Sequence, residues 1–257
     1  MLLTVFLVNV WKGIIEFKRY FFNSISFVAT ILIFFYLIFF GLKAVGGGTP
    51  NFGDTLDGII VGYFMWLMFI TSFQGVSWGI IEEAQRGTLE QVFASPVPFE
   101  FQLFSRIVGD LLLNIAFVVP LMYFAAFTTG RTLGFNLVTL LYLLLIGVLS
   151  ALGVGMMIGG VALIFKRISS FVEMLTFGSM AFTMIDPGNS ILLRSMPMAQ
   201  ASFMMRQMAQ HGATIGDFKM FDHVILWGVS AIYMGLGVIV FRFFEHRAML
   251  KGTLNQY

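Results

Sequence analysis

The 257-residue chain is 58% hydrophobic and only 11% charged, with a mean hydropathy of +0.90, which is more apolar surface than one water-soluble core can hide. A formal charge of +2, from 15 basic residues scattered over many short segments, forms no stripe for nucleic acid and excludes it as an expected partner. The lack of any cysteine removes disulfides, thiolate metal sites, iron–sulfur clusters and cysteine nucleophiles.

In chain order, residues 1–22 come first. Asn9, Lys12, Glu16 and Arg19 recur at steps of three and four, while Val5, Phe6, Val8, Trp11, Ile15 and Phe17 take much of the remaining surface. That pattern predicts an amphipathic helix lying in the membrane interface. Lys12, Lys18 and Arg19 follow its apolar residues with no small-x-small cleavage site next, so the segment is expected to be retained.

Segments apolar enough to cross a bilayer follow at about 24–42, 58–81, 107–129, 135–165, 168–185 and 222–244. The fold class is thus all-α integral membrane, with about six transmembrane helices in one domain over residues 1–257. The fourth segment, about 31 residues, is too long for one straight crossing of roughly 30 Å. Gly147, Ala151, Gly155 and Gly159 form a small-residue row within it that predicts close helix packing.

An even number of spans puts both termini on one side, and the basic residues choose which. With both termini cytoplasmic, that side carries Lys12, Lys18, Arg19, Arg86, Arg106, Lys166, Arg167, Arg242, Arg247 and Lys251, against Lys43, Arg131, Arg194, Arg206 and Lys219 outside. Ten against five favours a multi-pass protein of the cell membrane with cytoplasmic termini, in contact with membrane lipids.

This orientation makes the stretch from Glu82 to Arg106 cytosolic. Glu82, Glu83, Arg86 and Glu90 give a charged helical surface, Leu89, Val92 and Phe93 supply apolar contacts, and Ser95 before Pro96 ends the helix. A short amphipathic helix beneath the membrane results, either a solvated connector or a docking element.

Three other features carry candidate chemistry. Asp110 and Glu173 are the intramembrane acids, assigned either to pairing with Arg106, Lys166 or Arg167 or to gating. Tyr63, Trp66, Phe73, Gln74 and Ser77 share one stripe of the second span and serve either as packing or as the lining of a path for an amphipathic molecule. His211, His223 and His246 fall in the outer loop or near the ends of the last span, so no mid-span Ser–His pair supports an intramembrane enzyme. No span carries the polar face that a passive channel would need.

The run from Arg86 through Gly87, Thr88, Leu89, Glu90, Gln91, Val92, Phe93, Ala94, Ser95 and Pro96 to Val97, preceded by Glu82 and Glu83, resembles the cytosolic coupling loop of type-2 ABC transporter permeases. The layout also resembles theirs: an interfacial first helix, six spans, this loop after span two, and a longer outer connection between spans five and six. The outer connection departs from the family, its usual prolines reduced to Pro187 and Pro197 within a methionine-rich segment. The resemblance implies a permease subunit that exports a small amphipathic molecule, lipid or glycan. Two cytosolic ABC ATPase subunits and a second permease, identical or homologous, would complete the assembly. ATP and magnesium would sit on the ATPase, with no cofactor or metal on this chain and no catalysis of its own. Consistently, the sequence has no GxxxxGK[ST] phosphate loop, and its nearest glycine cluster, Gly46 to Gly48, has no following lysine.

Overall fold

The computed structural model describes residues 8, 11–12, 15, 18–46, 52–86, 99–165, 168–188 and 190–251. Among them there is no strand. The helices are α1 (Phe21–Gly46), α2 (Phe52–Arg86), α3 (Phe99–Thr128), α4 (Leu137–Ala162), α5 (Ser169–Met184), α6 (Ile191–Arg194), α7 (Ala199–His211) and α8 (Met220–Lys251), with a 3-10 turn at Ile215–Asp217 before the last. In the N-terminal segment the described residues Val8, Trp11, Lys12, Ile15, Lys18 and Arg19 are helical and exposed; Asn9 and Glu16 lie outside the described residues.

Among the described residues, five helices are long and apolar enough to cross a bilayer, over Phe21–Val45, Leu56–Ile81, Val108–Thr128, Leu137–Ala162 and Met220–Ala248. Phe22, Val45 and Phe127 are more than four-fifths exposed, which only a lipid surrounding makes inexpensive. The long fourth segment resolves into the 26 residues of α4. Asn136 starts it, its side-chain oxygen accepting from the amides of Val138 and Thr139 at 3.0 and 3.1 Å. Leu163 and Ile164 turn out of it.

The fifth expected span, 168–185, is the 16-residue α5, about 24 Å long and short of the roughly 30 Å hydrocarbon core. Ile168 supplies no side-chain cap at its start, and Ile185 is extended at its end, where Asp186 is held out of the helical region by Pro187. α5 nevertheless rises antiparallel to α2. The Trp66 indole Nε1 donates to Thr176 O at 3.0 Å, and Met184 lies against Gly62.

α2 is the hub. It touches α1, α3, α4, α5 and α7, and 78% of its most apolar stretch is buried, against 17% for α1 and 22% for α8. The small-residue row of α4 is what admits its neighbours so closely. A Cβ at Gly155 would lie 2.7 Å from Phe73 O, and one at Gly153 would lie 2.2 Å from Tyr233 O on α8, a backbone approach that a larger residue blocks.

Candidate functional site

At its C-terminal end, α2 carries the backbone of Glu82, Glu83 and Arg86 as continuous helix, and α3 begins at Phe99. Gly87, Thr88, Leu89, Glu90, Val92 and Phe93 lie outside the described residues, as do Lys166 and Arg167. Arg106 is within α3. Asp110, one turn further along α3, is half-buried and faces Thr71 and Ser72 of α2 across a small cavity.

Glu173 is exposed on α5, beside exposed Phe171, Met174 and Phe177. It is the fifth residue of that helix, so it sits little more than one turn from the helix start.

The aromatic stripe of α2 lies in helix seams. Tyr63 is 2% exposed and its hydroxyl donates to Ile31 O on α1 at 2.7 Å. Trp66 also donates to Ser179 Oγ at 3.1 Å, and Gln74 Nε2 donates to Thr176 Oγ1 at 2.8 Å, both on α5. Phe73 is fully buried beneath Gly155, and Ser77 Oγ is within 3.1 Å of Gly155 O on α4. The stripe therefore ties α2 to three neighbours at once.

The connection between α5 and α8 is where the sequence is least transparent and the structure most informative. It carries α6, α7 and the 3-10 turn, and α7 packs against α2, α4, α5 and α8. Met198, Met204, Met205 and Met208 are at most 1% exposed. Met198 takes the left-handed conformation, φ 59°, to start α7, and its amide donates to Ser150 Oγ on α4 at 2.9 Å. Ser202 Oγ donates to Thr183 O at the end of α5 at 2.7 Å. Spacings of three and four at 198, 201, 204, 205 and 208 were the available signal of a buried helical face; the polar residues between them obscured it.

Two arginines of this connection are buried. Arg194 is 6% exposed; its Nε donates to Gln200 Oε1 at 2.7 Å, and its other edge pairs with Asp222 at the start of α8. The Phe203 ring covers the guanidinium 4.3 Å from its centre. Arg206 is 7% exposed and donates to the carbonyls of Thr183 and Met184, two of the orphan acceptors at the end of α5. Burial lowers its pKa, and the charge of Asp186 partly opposes that shift. Its guanidinium fits because α2 presents glycines there: a Cβ at Gly62 would lie 2.6 Å from Nη2, and one at Gly58 3.1 Å from Nη1.

A third cation, Arg131 in the α3–α4 connection, holds Asp57 of α2 through two hydrogen bonds of 2.5 and 2.8 Å. Asp217 accepts from the Thr214 amide and hydroxyl at 2.8 and 2.7 Å, and these bonds lower its pKa. This end of the bundle is thus held by arginine pairings and hydrogen bonds that join α2, α5, α7 and α8. Among the described residues no group of histidines and carboxylates could hold a metal ion.

Comparison with curated proteins yields no match. The model of the ABC-2 family transporter protein family matches residues 45–244, from the end of α1 to the last turns of α8. That span takes in the hub helix, the 87–98 segment and the 186–221 connection, and it is most of the chain, so the protein belongs to the ABC-2 family and is a multi-pass membrane component of an ABC transporter.

Proposed function

We propose that this chain is the permease subunit of an ABC exporter, pairing with a second permease and two cytosolic ATPases to move an amphipathic small molecule, lipid or glycan out of the cytoplasm. The family match over 45–244 carries the reading. The arrangement of α2 supports the mechanism: a force on residues 82–97 reaches the helix that touches α1, α3, α4, α5 and α7, so one input can reorient most of the bundle. ATP and magnesium on the partner supply the energy. This chain contributes the docking helix, whose charges at Glu82, Glu83, Arg86 and Glu90 flank an apolar set, Leu89, Val92 and Phe93, suited to a partner's groove.

A second permease has a surface to cover. The outward side of α5 exposes Glu173 among Phe171, Met174 and Phe177. A carboxylate left against lipid costs about 2.5–3.5 kcal/mol near the bilayer centre and less toward the interface, so protein contact there is the cheaper arrangement.

The test is purification of the tagged chain from its native membrane, with mass spectrometry of what accompanies it. An ATP-binding subunit should copurify, and charge reversal at Glu82, Glu83 and Glu90 together should reduce its recovery about tenfold or more, a loss of at least about 1.4 kcal/mol. A chain recovered alone, or equal recovery with the reversed loop, overturns the reading.

A further inference from the structure

The two helices joined by the cytosolic segment, α2 and α3, do not close completely along their contact. Thr71, Ser72 and Gly75 of α2, Asp110 and Asn114 of α3 and Leu152 of α4 surround a cavity of about 10 Å³, the room one water molecule needs. Ser72 is 4% exposed, yet its hydroxyl has no hydrogen-bond partner among the described residues. A serine or threonine inside a helix usually donates back to its own backbone. Its neighbours do so: Thr71 Oγ1 donates to Leu67 O at 3.0 Å, and Ser77 Oγ donates to Phe73 O at 2.8 Å. Ser72 forgoes that bond beside this cavity. Gly75, about one turn along, also lines it.

We propose that this cavity is a binding site for a single water molecule, bridging the Ser72 hydroxyl on α2 to the Asp110 carboxylate and Asn114 carboxamide on α3. The chemistry selects water over a monovalent cation. A cation would take a lone pair of Ser72 and leave its O–H without an acceptor, whereas water both donates and accepts. Four polar side chains around the cavity offer the two to four partners that an ordered internal water requires. The site also has a consequence, which rests on the permease reading. It lies across the joint between the two helices that enter the cytosolic segment, where a bridging water keeps Asp110 hydrated while their separation changes.

X-ray radiolytic labelling of the purified chain in nanodiscs, read by mass spectrometry, tests the site without any ATPase, so its outcome is separate from that of the permease reading. Hydroxyl radicals formed at an ordered water label the side chains beside it. Leu152, which is 4% exposed, should label severalfold faster than Leu140, which is fully buried. The excess should fall in Ser72→Ala, which removes the hydroxyl that anchors the water. Equal slow labelling of Leu152 and Leu140 in the unmodified chain overturns the proposal. So does a thermal stabilisation by sodium, lithium or potassium over choline that Asp110→Asn abolishes, which would make the occupant a cation.

Discussion

Arg206 shows how one residue can decide the packing at one end of the bundle. A guanidinium buried to 7% exposure is costly unless its donors are used; Nη2 meets two carbonyls at the end of α5, while Nε has no hydrogen-bond partner among the described residues. The cation in turn satisfies acceptors that the early end of α5 would leave bare. The notch that admits it is glycine-specific, which makes a sharp prediction. Gly62→Ala sets a methyl group 2.6 Å from Arg206 Nη2 and 2.9 Å from Met184 Cα, and should destabilise the chain by about 1–3 kcal/mol through overpacking. Gly41→Ala, with nothing within 4 Å, should shift stability by less than about 0.5 kcal/mol. Thermal unfolding followed by size-exclusion fluorescence in one detergent compares them; equal midpoints would show that the notch is not tight. The same arginines explain a limit of residue counting. Arg131, Arg194 and Arg206 enter the basic tally as free outer charges, but each is engaged by a carboxylate or by carbonyls inside the protein. Those pairings join residues 22 to 74 positions apart, and no local pattern announces them.

At the scale of elements, the long apolar helices were legible because composition and length alone define a crossing, and the small-residue row of α4 correctly announced close packing. Two elements were not legible. α5 is shorter than its apolar run because Pro187 stops it and the 186–221 connection packs over its end. α7 is buried although its sequence is half polar, because Arg206, Gln200 and Ser202 spend their polar groups on neighbouring elements. Asp110 was recognised as an intramembrane acid, but its cavity is formed by three helices and could not be read from one. The α5 surface gives the prediction at this scale. Glu173 is exposed, so Glu173→Gln should leave the unfolding midpoint of the isolated chain within about 0.5 kcal/mol of the parent. In the assembled transporter the same change should lower ATP-driven transport by about fivefold, the effect of removing roughly 1 kcal/mol of bias between conformational states. Unchanged transport would remove Glu173 from coupling, and a lost midpoint would make it a packing residue.

At the scale of the whole molecule, the account depends on which side of the membrane each end occupies. The hub helix must enter the connecting segment on the side where ATP is hydrolysed, and the capped network of α6 and α7 must lie on the other. The lack of native cysteine makes this directly measurable with an impermeant thiol reagent on intact cells. Single cysteines at Glu90, in the connecting segment, and at Asn255, near the C-terminus, should be protected until the cells are opened, and one at His211, exposed at the end of α7, should label at once. Immediate labelling at Glu90 with protection at His211 would contradict the account, because the segment assigned to ATPase docking would then face away from every cytosolic partner.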